Sequence, residues 1–320
     1  MREDPLLAVL SGKKHVGEEP LAGQSTLNRL ERSVKQPSRY KKIHCRQPAI
    51  DELLVEVFIE AHERPPERIV LDLDVTDLPL QGHQEGRFFH GYYDEYCYLP
   101  LDLFAGEHLL CARLRTSDQD AAAGSTEEVE RIVGQIRRKW PKVGILVRGD
   151  SGFCREQLMA WCEAHGVDDV LGFARNDRLR RIIAAEMEEA ARTQKETGRP
   201  ARVFTEFDYQ TTTGSWSRPR RVVAKAEPIE GQENPRYVVT NLSAEQWAAR
   251  ALYEELYCAR GEMENRIQEQ LSLFATRVSA ETMKANQVRL NLAGCAYVLM
   301  HALRRLGLKG TEMERAQATN

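Results

Sequence analysis

Hydrophobic and polar positions alternate between Arg68 and Asp77, which predicts an early β-strand. The aliphatic face of this strand contains Ile69, Leu71 and Leu73. Asp72 and Asp74 fall on the opposite face, because successive side chains point to opposite sides of a strand. A carboxylate beside a sheet is costly unless it is paired, hydrogen-bonded or bound to a cation. Asp74 is therefore a candidate functional residue, whereas Asp72 is either its supporting partner or merely a neighbour.

Alternation typical of strands and apolar spacing typical of helices predict a succession of strands and helices up to about residue 200. Short links join the first strand to two further strands, at 92–104 and 108–115, which favours an antiparallel meander. Apolar residues recur at helical spacing in four segments. These are 49–62, 125–140, 155–165 and 177–196. Two short apolar runs between the helices, at 144–147 and 169–174, indicate buried strands.

The pattern changes after residue 200 to short strands separated by turn residues. The predicted strands are Val203–Tyr209, Arg220–Ala226 and Arg236–Thr240. Two long helical patterns follow, at 244–270 and 282–306. The chain is therefore predicted to form an α/β protein, a mixed sheet flanked by helices, with a β-strand insertion before the last two helices.

The composition fits a protein with a sizeable core and no membrane segment. The 320 residues are 42% hydrophobic and 29% charged, with a formal net charge of −3. This charge does not indicate a nucleic-acid binder, so local basic clusters would have to make such contacts. The seven cysteines are scattered without a Cys-x-x-Cys pair, which indicates neither a disulfide framework nor a zinc site. Without a signal-peptide pattern or an apolar run of about 18 residues, we expect a cytoplasmic protein.

Two further acidic residues are candidates for the same site. Asp150 follows a buried strand and precedes a helix, which is the usual position of a site in an open α/β sheet. Glu264 shares one face of a predicted helix with Tyr257 and Arg260, because the three residues follow the spacing i, i+3 and i+7. Glu262 would point away from this face, since two residues turn a helix by about 200°.

Three segments resemble motifs of one enzyme family and occur in the order of that family. They are Gln-Glu-Gly-Arg-Phe-Phe-His-Gly-Tyr-Tyr-Asp at 84–94, Arg-Gly-Asp-Ser-Gly-Phe at 148–153 and Tyr-Cys-Ala-Arg-Gly-Glu-Met-Glu-Asn-Arg-Ile at 257–267. The chain resembles bacterial insertion-sequence transposases of the DDE class, of the cut-and-paste type with a Tyr-Arg-Glu signature, over nearly its whole length. The resemblance implies an RNase H-like fold in which the β insertion precedes the glutamate-bearing helix.

The resemblance also implies a metal-dependent site for DNA strand cleavage and transfer. Asp74 would bind both of two Mg²⁺ or Mn²⁺ ions, while Asp150 and Glu264 would each bind one. Three carboxylates suit this chemistry, because oxygen ligands favour hard divalent cations and two such ions can act on one phosphodiester. Tyr257 and Arg260 would contact DNA phosphate. The expected partners are double-stranded DNA, as terminal inverted repeats and target, and a second copy of the chain, with the protein associated with the nucleoid.

Basic residues in the predicted β insertion offer further DNA contacts. Arg218, Arg220 and Arg221 follow Trp216 at a turn. Two interpretations of Trp216 remain open: stacking on a base flipped from the transposon end, and packing inside the protein. A second basic run, over residues 32–46, is either a phosphate contact or a solvated arm.

These observations predict four parts of the chain. They are a basic N-terminal arm at 1–48, the first part of an RNase H-like catalytic core at 49–200, the β insertion at 201–243 and C-terminal helices that complete the core at 244–320.

The chain departs from the family pattern at one signature position and at its ends. Leu271 stands where the signature has a lysine, and Arg266 and Arg277 are the nearest basic substitutes. Close relatives extend further at both ends, which leaves a truncated copy of the element open. The rival functions are a catalytically silent remnant that competes for transposon ends and an RNase H-like nuclease without strand transfer.

Overall fold

The computed structural model describes residues 25, 29–30, 45–229, 232–275 and 278–316. The strands are β1 (Arg68–Val75), β2 (Leu78–Pro79), β3 (Phe88–His90), β4 (Glu95–Tyr98), β5 (Leu101–Ala105), β6 (His108–Arg113), β7 (Gly144–Gly149), β8 (Asp168–Phe173), β9 (Val203–Tyr209), β10 (Arg220–Ala226), β11 (Pro228–Ile229), β12 (Gln232–Glu233) and β13 (Arg236–Thr240). The helices are α1 (Gln47–Glu60), α2 (Ser125–Lys139), α3 (Glu156–Ala164), α4 (Asp177–Ile182), α5 (Ala184–Thr197), α6 (Ala249–Ala251), α7 (Met263–Phe274) and α8 (Met283–Leu306). Between α6 and α7 the chain winds as a π-helical turn (Leu252–Tyr257) and then a 3₁₀ turn (Cys258–Glu262).

A mixed sheet lies at the centre of the described residues, with its eight strands in the order β6-β5-β1-β7-β8-β13-β10-β9. Strands β1, β7 and β8 are parallel neighbours, and a parallel pair needs a long crossover such as α3, which connects β7 to β8. The remaining neighbours in this sheet are antiparallel. The carboxyl ends of β1 and β7 therefore meet at one edge, where the chain places Asp74 and Asp150.

The predicted fold class, a mixed α/β sheet flanked by helices, is confirmed. The predicted meander corresponds to the antiparallel pairs of β1 with β5 and of β5 with β6. Strands β9, β10 and β13 have the bounds predicted for the β insertion. They extend the main sheet beyond β8, because β13 pairs with β8. The division of the chain into four parts stays a prediction.

Three predicted elements are interrupted in the structure. The strand predicted at 92–104 is divided into β4 and β5, and the break includes Pro100, which has no amide hydrogen for a strand ladder. The helix predicted at 177–196 is interrupted at Ile183, which ends α4 and precedes α5. The helix predicted at 244–270 changes its winding twice before α7. Local periodicity did not reveal these breaks, because apolar spacing continues across them.

Hydrophobic side chains cover both faces of the sheet. The odd-numbered residues Leu71 and Leu73 of β1 belong to the largest buried cluster, together with residues of α2 and α3. On the even-numbered face, Val70 packs with residues of the π-helical turn, including Leu252 and Leu256. A third cluster joins β6 to α7 and α8. The even-numbered face of β1, which carries Asp72 and Asp74, therefore lies under the π-helical turn.

Two expectations from composition can be compared with the structure. All seven cysteines lie among the described residues, and each has a free thiol. Within the same part of the chain, no helix has both the length and the apolar character needed to cross a membrane.

Candidate active site

Asp74 lies near the end of β1 and is 8% exposed. Burial raises the pKa of its carboxyl to about 6, Arg260 and the backbone amide of Val75 act in the opposite direction, and Asp150 and Glu264 raise the pKa further. The Val75 amide donates a hydrogen bond to Asp74 Oδ1 (2.9 Å), and Arg260 Nη1 lies 3.5 Å from Oδ2. Asp74 is thus a desolvated carboxylate among two other acids and one arginine.

Asp150 immediately follows β7, the parallel neighbour of β1. Its Oδ1 accepts a hydrogen bond from the Gly152 amide (2.8 Å), which fixes the carboxylate in the turn that leads to α3. The Asp150 charge raises the pKa of Asp74 and also that of Tyr257. The strand-end position that the sequence predicts for Asp150 is therefore the position that the structure gives it.

Glu264 lies in the first turn of α7, after the π-helical and 3₁₀ turns. Its side chain is exposed, and its charge acts on Asp74. Glu262 is also exposed but pairs with Arg266 at 2.6 Å. The two glutamates thus differ in their surroundings, in a segment that is not a regular α-helix. The metal-ligand role of Glu264 stays a prediction.

Tyr257 and Arg260 lie over the strand ends that carry the aspartates. Burial raises the pKa of the half-buried Tyr257, Arg260 lowers it and Asp150 raises it. A Cβ atom built on Gly172 of β8 would lie 2.5 Å from Tyr257 Oη and 2.9 Å from the Ser151 amide nitrogen. Only a residue without a side chain at position 172 leaves room for this phenol beside the Asp150 turn.

The structure adds a buried aspartate that the sequence analysis missed. Asp102 of β5 is the direct cross-strand partner of Asp74 and is fully buried. Burial raises the pKa of Asp102 to about 7, the charge of Asp74 raises it as well, and Gln270 and Arg115 lower it. A signal was present in the sequence, because Asp102 interrupts the apolar residues around it just as Asp74 does in its own strand.

The structure gives Asp72 a partner of its own. Its carboxylate pairs with both Nε (2.5 Å) and Nη2 (2.8 Å) of Arg148, the residue opposite it on β7. Arg148 Nη1 also donates a hydrogen bond to the Leu256 carbonyl oxygen (2.5 Å). Asp72 is therefore engaged by Arg148, and its supporting role beside Asp74 stays a prediction.

The segment at 84–94, which resembles the first family motif, forms an aromatic hairpin that includes β3. Several of the large side chains in this hairpin are exposed: Phe88, Phe89, Tyr92 and Tyr96. The guanidinium of Arg87 lies 3.6 Å from the ring centroid of Tyr96. Burial and the charges of Asp77 and Asp74 raise the pKa of Tyr93 to about 12. The hairpin therefore lies close enough to Asp74 and Asp77 for their charges to act on Tyr93.

The basic residues of the β insertion have acidic partners within the protein, and their predicted role as DNA contacts stays a prediction. The Arg220 side chain is 2% exposed and pairs with Glu156 and Glu163 at 2.6 and 2.7 Å. Arg221 pairs with Glu206 at 2.5 Å, and its side chain is 13% exposed. The side chain of Arg218 is 57% exposed.

Arg218 also has an acidic partner, Glu163, at 2.9 Å. Trp216 is 4% exposed and packs against the rings of Phe173 and Tyr209, with centroid separations of 5.0 and 5.8 Å. Its indole has no open face for a nucleobase. The structure thus agrees with the packing interpretation of Trp216 and corrects the base-stacking one.

The remaining predicted basic contacts are only partly described. Leu271 packs against the cluster formed by α7 and α8, so the family's lysine position has a packing residue here. Arg266 is engaged with Glu262. Arg277 and most of the predicted basic arm at 1–48 lie outside the described residues.

The donor chemistry of the site fits hard divalent cations. Asp74, Asp150 and Glu264 offer only carboxylate oxygens, the ligand type that Mg²⁺ and Mn²⁺ prefer. Burial, and to a smaller extent the charges of the two other acids, raise the pKa of Asp74, and a bound cation would offset this cost of ionising the carboxylate. Among the described residues, no three histidine, cysteine or acidic side chains already lie at metal-binding spacing. Arg260 provides the positive charge nearest to Asp74.

Fold and site together define an α/β protein with a carboxylate cluster at the ends of its central strands. The family model described as "Transposase DDE domain group 1" matches residues 1–320. The chain therefore belongs to this family of DDE transposases. A search of curated protein sequences found no match.

The chain is also similar to solved structures of transposases. The chain is similar to a piggyBac transposase in a synaptic complex with hairpin DNA, with 11% identity, a TM-score of 0.45 and coverage of 78% of this chain and 49% of that chain. It is also similar to a Mos1 transposase in a paired-end complex with the left transposon end, with 11% identity, a TM-score of 0.24 and coverage of 53% and 54%. The chain thus spans about half the length of these structures.

Proposed function

We propose that the protein is a DDE transposase that cleaves DNA strands at the ends of an insertion sequence and joins the freed 3′-hydroxyl to target DNA. The observation that carries this proposal is the meeting of the carboxyl ends of β1 and β7, which places Asp74 and Asp150 at one edge of the sheet. The charge of Glu264 also acts on Asp74. Membership of the DDE transposase family supports the same reaction class. The proposal includes an RNase H-like catalytic core.

Asp74 is the central ligand in this proposal, because the charges of both other acids act on its carboxylate. Asp74, Asp150 and Glu264 would together hold two divalent ions, Mg²⁺ or Mn²⁺. Bound ions of this kind activate the attacking oxygen and stabilise the leaving oxygen of a phosphodiester. The protein's part is to hold three carboxylates in a fixed arrangement at the strand ends.

Arg260 and Tyr257 are proposed to bind DNA phosphate next to the scissile bond. The guanidinium of Arg260 lies 3.5 Å from Asp74 Oδ2 and can donate up to five hydrogen bonds, so it can serve a phosphate as well as a carboxylate. The Tyr257 hydroxyl lies against Gly172, beside the Asp150 turn. Both side chains therefore have positions from which a phosphodiester at the carboxylates is within reach.

The proposed partners are double-stranded DNA, as terminal inverted repeats and target, and a second copy of the chain. The proposed location is the cytoplasm, in association with the nucleoid. Light scattering of the protein with and without end DNA measures the stoichiometry, and a DNA-bound monomer would exclude the dimer.

The deciding experiment is incubation of the protein with labelled end DNA and a target plasmid in Mg²⁺, Mn²⁺ or Ca²⁺. We expect strand cleavage and joined products in Mg²⁺ and Mn²⁺. Cleavage without joined products would instead identify a nuclease. Binding of end DNA without cleavage in any metal would identify a DNA-binding remnant.

A further inference from the structure

Arg148 connects three segments of the chain that each lead into the candidate site. Its bond partner Asp72 lies two residues before Asp74, and Arg148 itself lies two residues before Asp150. Its third bond reaches the carbonyl of Leu256, the residue before Tyr257. One buried side chain therefore links β1, β7 and residues 256–264, which are called the helical segment from here on.

The geometry of this link uses the whole guanidinium group. Nε and Nη2 hold the two Asp72 carboxylate oxygens at 2.5 and 2.8 Å, and Nη1 holds the Leu256 carbonyl oxygen at 2.5 Å. Asp72 is 2% exposed and Arg148 is 6% exposed, so water does not compete for these bonds. A planar fork with fixed donor directions defines both the distance and the angle between the groups that it joins.

The helical segment changes its winding close to the candidate site. The chain changes from π-helical winding to a 3₁₀ turn at Tyr257 and Cys258, and then to α7 at Met263. Changes of winding of this kind often occur at functional sites. Leu256 and Met263 are buried near the two ends of this stretch, whereas Cys258, Ala259 and Glu262 between them are exposed.

We propose that Arg148 is a positioning residue that holds the helical segment 256–264 against the strands bearing Asp74 and Asp150, so that Tyr257, Arg260 and Glu264 face the two aspartates. The inference rests on the proposed function for its catalytic consequence. Its structural content, the attachment of the segment, can be measured without any reaction.

The first test is the double variant Asp72→Leu/Arg148→Met. It removes both buried charges together, and replacing a buried ion pair by apolar residues of similar volume is often neutral for stability. We expect a wild-type unfolding midpoint, but backbone amides of 256–264 should exchange hydrogen about tenfold faster or more, because the bond to the Leu256 carbonyl is lost. Unchanged exchange at 256–264 in the folded double variant would overturn the proposal.

The variant Arg148→Lys separates geometry from charge and serves if the double variant fails to fold. Lysine keeps a positive charge beside Asp72 but has no planar fork to hold the carboxylate and the Leu256 carbonyl together. We expect faster exchange at 256–264 and a higher Mg²⁺ concentration for half-maximal cleavage. Wild-type exchange and wild-type metal dependence in Arg148→Lys would show that charge alone suffices and would overturn the positioning role.

The control matched to Arg148→Lys is Arg113→Lys, which keeps a positive charge beside its buried acidic partner. Arg113 also bridges elements, because it pairs with Asp51 of α1 and Glu128 of α2, each at 2.7 Å. Its replacement should leave exchange at 256–264 unchanged, and faster exchange there would count against a specific link through Arg148. If wild-type protein cleaves no DNA, the proposed function fails, but the exchange measurements still decide the attachment.

Discussion

At the scale of single residues, Asp74 is buried and lies near other acidic residues. The alternation of β1 places it on the face covered by the helical segment, where desolvation raises its pKa to about 6. The same face carries Asp72, which has a full ion pair with Arg148. Asp74 accepts a hydrogen bond from the Val75 amide, and its contact with the Arg260 guanidinium is long, at 3.5 Å. This weaker charge pairing leaves the carboxylate available to a cation.

The residue-scale prediction concerns the three proposed ligands. Asp74→Asn, Asp150→Asn and Glu264→Gln should each lower the cleavage rate in Mg²⁺ by about 100-fold or more, because each removes a charge that would hold metal. Far-ultraviolet circular dichroism should remain that of the wild type, since the substitutions are nearly isosteric. Glu262→Gln is the control and should cleave normally. If one of the three variants cleaves at the wild-type rate, the residue substituted in it is not a metal ligand.

At the scale of elements, the helical segment packs closely against β8 because Gly172 of that strand has no side chain. The Tyr257 hydroxyl occupies the space where a Cβ on Gly172 would lie, only 2.5 Å away. Real Cβ atoms do not tolerate so short a distance, so either the strand or the phenol would have to shift. The position of Tyr257 over the Asp150 turn thus depends on a glycine in a neighbouring strand.

Gly172→Ala should displace Tyr257 and lower the cleavage rate by about tenfold or more, because small displacements of positioning groups are costly for catalysis. Gly134→Ala is the matched control, since a Cβ there meets nothing within 4 Å. That change, within α2, should leave cleavage intact and stabilise the protein by about 0.5–1 kcal/mol. Single-turnover cleavage and thermal unfolding measure both effects. Equal cleavage rates in the two variants would contradict the steric argument.

The β insertion gives a second prediction at this scale. Trp216→Ala should destabilise the protein by about 3–5 kcal/mol, because it removes a large side chain packed against Phe173 and Tyr209. Trp216→Leu keeps an apolar side chain in the core but has no aromatic face for a base, and it should bind end DNA with wild-type affinity. Urea unfolding and fluorescence anisotropy measure stability and affinity. A folded Trp216→Leu protein with greatly weakened DNA binding would restore the base-stacking interpretation.

At the scale of the whole molecule, buried carboxylates couple stability to pH. Burial raises the pKa of Asp169 to about 8, the nearby charge of Glu163 raises it, and Arg220 lowers it. Among the described residues, neither oxygen of the Asp169 carboxylate has a hydrogen-bond partner. Because the folded-state pKa lies above the ordinary value of 3.8, the folded protein keeps a proton that the unfolded chain has lost.

Stability should therefore fall as pH rises from about 4 to about 8 and then level off, as far as Asp169 contributes. Asp169→Asn cannot ionise, so its free energy of unfolding should exceed that of the wild type increasingly from pH 5 to pH 9. The difference should reach several kcal/mol at the upper end. Denaturant titrations at pH 5, 7 and 9 test this, with Glu262→Gln as an exposed control. Parallel pH profiles for wild type and Asp169→Asn would refute the coupling.

The sequence by itself determined the elements and the candidate acids. Alternation fixed β1, and turn residues bounded β9, β10 and β13, because both signals are local and need no partner strand. The positions of Asp74 and Asp150 at strand ends follow from the same patterns. Local signals could not show that π-helical winding precedes Glu264, since apolar spacing of about one turn suits several helix types.

Tertiary structure alone decided which charged groups have partners. Arg220 and Arg221 were predicted DNA contacts and Trp216 had two open interpretations, but the acids and rings around these residues come from other strands and helices. Asp102 gained its importance from cross-strand pairing with Asp74, and Arg148 from a carbonyl more than a hundred residues away. Side-chain charge is a property of the sequence, whereas its burial and pairing depend on which elements the sheet brings together.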